Sequence, residues 1–181
     1  YRQGDSGRGK QDCETRAFYR MAERLREAFP RLPIMLLLDG LYPTGPSMQI
    51  CATYGWQFMI VLQDDSLPHV WEEYRGLVKL LEPNDQHQMS WGAREQQFHW
   101  VNAIEYEYEG DGGKRSVEIH LVVCEETWQE IDSRTAQMIE KNSRHVWLSS
   151  SRLSEHNVHR RCNLAARHRW AIESGILVEK R

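Results

Sequence analysis

Two apolar runs constrain this chain more than any other feature: residues 34–38 (IMLLL) and residues 56–62 (WQFMIVL). Neither alternates polar with apolar, and turn-forming residues bound both, so each is expected to be a strand buried on both faces. Between them, residues 46–54 (PSMQICATY) open on a proline and stop before Gly55, the punctuation of a short helix. A strand, a helix and a second strand in that order imply parallel neighbours joined by a right-handed crossover.

The flanking segments extend this unit. Residues 11–28 carry Ala17, Met21, Leu25 and Phe29 at helical spacing, with Asp12 as the expected N-cap and "FPRLP" as the stop. Residues 66–82 are a further expected helix, capped by Ser66. After Pro83 the pattern changes to alternation over residues 96–109, a Gly-rich turn, and strand again over 115–124, which predicts a β-hairpin. Residues 125–143 are expected to continue the strand and then loop, and residues 144–149 to form another strand. A last helix is expected from Ser154 to about Lys180. The expected division is therefore a partial α/β core over 1–83, a β-rich insertion over 84–150, and a helix of the core over 151–181.

A length of 181 residues, 40% of them hydrophobic, is enough for a packed core. No apolar run approaches the ~20 residues of a membrane span, and the start has no apolar signal-peptide region. Four scattered cysteines without a CxxC pair fit free thiols in a reducing cytoplasm. The net charge of −3 hides an uneven distribution. Residues 141–181 hold nine Lys/Arg against three Asp/Glu, while residues 64–140 hold six against seventeen. A basic end beside isolated carboxylates fits phosphate binding with metal chemistry, although two solvated faces would look the same.

Several residues are candidates for chemistry. Asp39 ends the first apolar run, at the strand edge where ligands of open α/β sheets gather and where a carboxylate can hold Mg²⁺. The ordinary alternative is an Asp opening the turn "DGLYPTG". Arg169, Glu173 and Lys180 stand four and seven residues apart, within an arc of roughly 40° on a helix. An exposed i,i+4 ion pair accounts equally well for the first two. His156, His159 and Cys162 share a three-residue rhythm without an evident fourth zinc ligand. Asp64–Asp65 and Glu125–Glu126 are paired carboxylates, each more simply a loop or edge charge than a metal site. No phosphate-binding glycine loop and no GxSxG is present.

Taken together these residues are similar to the DDE transposases of bacterial insertion sequences. The stretch "LLLDGLYPTGPSMQICATYGWQFMIVLQDDSLPHVWEE" resembles the middle of that family. The stretch "ARHRWAIESGILVEKR" resembles its C-terminal signature of Tyr, two residues, Arg, three residues, Glu, six residues and Lys. Arg169, Glu173 and Lys180 keep the last three places, Ala166 stands where the Tyr is expected, and Tyr42 follows Asp39 by three as in the family pattern. The resemblance runs over residues 11–181.

That resemblance implies a ribonuclease H-like α/β fold, incomplete at its N-terminal side, with a β-rich insertion before the last helix. It implies Asp39 as the second acid and Glu173 as the last, holding two Mg²⁺ or Mn²⁺ ions for DNA cleavage and strand transfer. It implies Arg169, Lys180 and Tyr42 as contacts to the DNA of transposon ends, a homodimer in the synaptic complex, and a bacterial cytoplasmic, nucleoid-associated location. The family's first Asp belongs on a strand upstream of the first helix, and Asp5 and Asp12 do not fit that place. The expectation is a C-terminal portion or remnant that is inactive alone. The competing expectations are a catalytically inactive DNA-binding or regulatory module derived from a transposase, and a protein-interaction domain without a nucleic-acid role.

Overall fold

The computed structural model describes residues 7–80, 85–110 and 112–168, with side chains from residue 14 onward. Its elements are α1 (Gly7–Ala28), β1 (Met35–Leu38), α2 (Gly45–Tyr54), β2 (Gln57–Val61), α3 (Pro68–Leu77), β3 (Gln86–Trp91), β4 (Arg94–Gly110), β5 (Gly113–Ile131), β6 (Met138–Ser149) and α4 (Val158–Cys162). Single 3-10 turns follow α3 at Val78–Leu80 and α4 at Ala166–His168. The six strands make one mixed sheet in the order β1-β2-β6-β5-β4-β3. Only β1 and β2 are parallel; every other pairing is antiparallel.

The expected strand–helix–strand unit is present. Thr44 caps α2 by accepting from the Ser47 N–H at 3.4 Å, and Pro46 sits in its first turn. Gly55 ends it in the left-handed region at φ 68°, where a side chain would be strained. The chain then pairs Met35 with Gln57 and Leu38 with Ile60. β1, however, is the edge strand, so all four of its residues are half-buried rather than buried on both faces.

The β block is not separate from this unit, because β6 lies directly on β2, pairing Ile60 with Leu148 and Val61 with Trp147. One face of the sheet packs Phe58, Ile60, Leu121, Val123 and Leu148 against Met48 and Cys51 of α2 and Val70 and Trp71 of α3. The other packs Met59, Phe98, Trp100, Val122 and Trp147 against Leu153, Val158, Cys162 and Ala166. A bulge keeps β4 in phase. Between Val101↔Leu121 and Ile104↔Ile119, β4 spends two residues where β5 spends one, with Ala103 at φ 61°. Both Val101 and Ile104 therefore face the same core. The bulge also directs the chain beyond the sheet: Asn102 accepts from the Leu153 N–H at 2.8 Å and donates to the Leu153 carbonyl at 3.0 Å. That clamp seats the loop leading into α4.

Three expectations are corrected, and one strand goes unannounced. α1 begins at Gly7, which puts Asp12 inside the helix and not at its cap. α3 begins at Pro68 after Leu67 in the left-handed region at φ 50°, so Ser66 does not cap it and the proline ring sets the start. β3 is a strand that its polar sequence (QHQMSW) does not announce. The helix expected from Ser154 to about Lys180 is interrupted: α4 stops at Cys162, a turn comes next, and Ala166–His168 is 3-10. The α-helical stripe from Cys162 through Ala166 is thus not continuous. No helix among the described residues is long and apolar enough to cross a membrane.

Candidate functional site

Asp39 follows β1 directly, at the carboxyl edge of the parallel pair. One of its oxygens, Oδ1, accepts from the Leu41 N–H at 2.9 Å, and the Tyr42 N–H donates to the Asp39 carbonyl at 3.2 Å. This is an Asx-type turn, the ordinary role for an Asp that opens "DGLYPTG". The turn passes close to the end of β2: a Cβ on Gly40 would lie 2.8 Å from the Gln63 side chain. Residues 39–40 and 63–64 therefore share one edge. Tyr42 packs its ring 5.3 Å from that of Phe18, and burial, then Asp39 and Glu14, raise its phenol pKa.

Beside this edge lies a groove of about 620 Å³. It is walled by residues 61–64 after and within β2, by residues 144–147 of β6, by Trp91 and Arg94 at the β3–β4 turn, and by Arg167. Asp64 and Arg144 join across its rim at 2.7 Å. The Arg144 guanidinium also lies 5.1 Å from the Trp71 ring centre.

Behind the groove stands Glu126, whose side chain has no exposed surface. It accepts from Arg94 Nη1 at 3.0 Å, from Ser143 Oγ at 3.1 Å, and from Gln96 Nε2 and Arg167 Nη2. His145 Nε2 is 3.6 Å away. Asn163 locks the set from α4's end, donating to Gln96 Oε1 at 2.7 Å and accepting from Arg167 Nε at 3.0 Å. Burial alone would raise the Glu126 pKa, but the Gln96 hydrogen bond, the Arg167 charge, Ser143 and His145 outweigh it, and the carboxyl lies below its ordinary value. For His145 burial and the Arg167 charge prevail over Glu126, so its pKa is lowered and the neutral ring is favoured. That ring stacks on Trp147 at 5.5 Å.

Sequence reasoning misses this network, because it reads Glu125–Glu126 as edge charges. The signal is present in the alternation: Glu126 continues the inward phase of Val122 and Cys124. The histidine–cysteine rhythm forms no site. His156 is exposed beside Glu155, His159 Nδ1 meets the Asn163 side chain at 3.0 Å, and Cys162 is fully buried with its thiol pKa pushed up by burial. Asp65 is exposed.

Among the described residues no group of three or more His, Cys, Asp or Glu is placed to hold a metal ion. Asp39 is the described member of the acid pair expected from the sequence. Arg169, Glu173 and Lys180 lie outside the described residues. No protein-family model and no curated protein sequence matches this chain.

Proposed function

We propose that this chain carries the second and last acids of a DDE transposase, Asp39 and Glu173, and takes part in metal-dependent cleavage and strand transfer of transposon-end DNA. The observation that supports the reading is that Asp39 and Arg167 both reach the same end of β2. Asp39 leaves β1 beside Gln63 at the end of β2. The chain then builds an antiparallel block and returns with Arg167 lining the groove at that same end of β2. Arg169 and Glu173 come within six residues of Arg167. The element order α-β-α-β-α, antiparallel strands, helix is what a ribonuclease H-like core with a β insertion would present.

On this reading Asp39 and Glu173 bind Mg²⁺ or Mn²⁺, and Arg169, Lys180 and Tyr42 contact the DNA backbone near the reacting bond. The ions, when bound, supply an activated water or 3′-hydroxyl and stabilise the leaving oxygen. Asp39 and Glu173 are two of the family's three acids, and no residue of this chain is assigned to the first. A second reading is a catalytically inactive DNA-binding or regulatory module derived from a transposase.

Calorimetric titration of Mn²⁺ separates the two. Metal-dependent chemistry predicts binding by the wild type that Asp39→Asn and Glu173→Gln each remove. Equal heats for all three proteins contradict it, and Mg²⁺-dependent cleavage by the wild type, abolished by Asp39→Ala, would overturn the expected inactivity.

A further inference from the structure

Glu126 is more than a core ion pair. Four donors converge on a carboxylate with no exposed surface, and two of them belong to arginines that also line the groove. Those arginines keep a route to solvent: the side chains of Arg94 and Arg167 are 35% and 16% exposed. Each guanidinium is also held against aromatic surface. Arg94 lies 3.9 Å from the Trp128 ring centre, and Arg167 lies 5.0 Å from Trp91 and 5.8 Å from Trp147. An exposed arginine normally samples many rotamers; here one buried acid and three indoles restrict two of them at once.

The chemistry left over is that of an anion site. A guanidinium has five N–H donors. Glu126 takes one from Arg94, while Glu126, Asn163 and the Cys124 sulfur take three from Arg167, which leaves its Nη1 donors uncommitted. The groove and its backing hold three arginines (94, 144, 167) against two acids (Asp64, Glu126) with a His145 that favours its neutral form, a surplus of one positive charge. Fixed, forked donors of this kind match a phosphate better than flexible ammonium groups do.

We propose that Glu126 is a positioning residue that fixes Arg94 and Arg167 as a paired clamp for a DNA phosphate in this groove. The proposal rests on the DNA reading above and adds a contact that the resemblance did not supply. It also gives the buried acid a direction of effect opposite to simple electrostatics. Removing a negative charge beside a DNA site should tighten binding; removing the residue that orients the clamp should weaken it.

The test is fluorescence anisotropy of the intact chain with a labelled short DNA duplex, titrated over a series of salt concentrations. Arg94→Gln and Arg167→Gln are each expected to weaken binding and to lower the slope of log K against log salt by about 0.9. Glu126→Gln is expected to weaken binding by about ten-fold, the order of one lost charge-assisted hydrogen bond. Arg94→Lys keeps the charge and loses the fork, and it is expected to weaken binding with little change of slope. It decides the matter if Glu126→Gln does not stay folded. Wild-type-like or tighter binding by Glu126→Gln, or wild-type binding by Arg94→Lys, overturns the clamp and leaves the DNA reading standing. A wild type that does not bind the duplex overturns both.

Discussion

Glu126 and Arg167, 41 positions apart, are joined in an ion pair whose carboxylate has no exposed surface. The pair ties the middle of β5 to the turn just before the basic end of the chain. It holds the 3-10 turn Ala166–His168 against the sheet.

Replacing Glu126 by Ala should be among the most destabilising single changes in the molecule. It would leave Arg167 and Arg94 without their counter-charge and Gln96 and Ser143 without their acceptor, a loss of about 3 kcal/mol. Urea denaturation monitored by tryptophan fluorescence measures it, and a loss near zero would mean that water replaces the carboxylate freely.

Arg161 makes the opposite case. It is buried, its Nε donates to Ser149 Oγ at 3.1 Å and its Nη1 to Gln57 Oε1 at 2.9 Å, while Nη2 has no partner. Burial lowers its pKa, and among the described residues no carboxylate pairs with it. Arg161→Met should therefore leave stability unchanged or raise it by about 1 kcal/mol. A clear drop in Tm would show that its two hydrogen bonds outweigh the buried charge.

Acidification should destabilise the fold earlier than carboxylate protonation alone would. His120 Nδ1 accepts from the Ala103 N–H at 3.0 Å, which secures the β4 bulge and requires the neutral ring. Burial lowers the His120 pKa, with Glu118 opposing, and His145 is lowered as well. For a group whose folded pKa is depressed, stability is complete above its unfolded value and is lost as pH falls through the folded one. Tm should thus decline from about pH 6.5 downward, the ordinary histidine value. Glu126, also depressed, adds its loss only below the ordinary carboxylate range. His120→Asn supplies an acceptor that does not titrate and should flatten the first part of that decline. An equal slope in both proteins would remove His120 from the account.

The β block should be coupled to the parallel unit through Gly45. A Cβ at that position would run into the Tyr108 ring, which reaches across from the β4–β5 hairpin. Tyr108 also donates from its hydroxyl to Gln49 Oε1 at 3.2 Å. Gly45→Ala should cost about 1–3 kcal/mol by overpacking, measured by thermal unfolding. Gly45→Ala combined with Tyr108→Ala should recover part of that loss.

The parts of the fold that are legible in the sequence are those fixed by local chemistry. Thr44, Pro46 and Gly55 punctuate α2, and uninterrupted apolar runs mark β1 and β2. The illegible parts depend on partners distant in the chain. The half-burial of β1 comes from its edge position, which no local pattern records. β3 alternates only weakly, since its inward residues His87, Met89 and Trp91 are half-buried against one neighbour. α4 ends after Cys162, where the Asn163 side chain donates to Gln96 on β4, a partner 67 positions away. Of the site, Asp39 stands where its run places it. The Glu126 network escapes a local reading because it assembles from β4, β5, β6 and the turn after α4.

In the proposed site Asp39 and Glu173 share one metal centre. Iron-directed backbone cleavage reads this out: Fe²⁺ replaces Mg²⁺ and, with peroxide, cuts the chain next to its ligands. Two cuts are expected in the wild type, one beside Asp39 and one beside Glu173, both lost in Asp39→Asn. A cut beside Glu173 that survives Asp39→Asn, or no localised cutting at either residue, would contradict it.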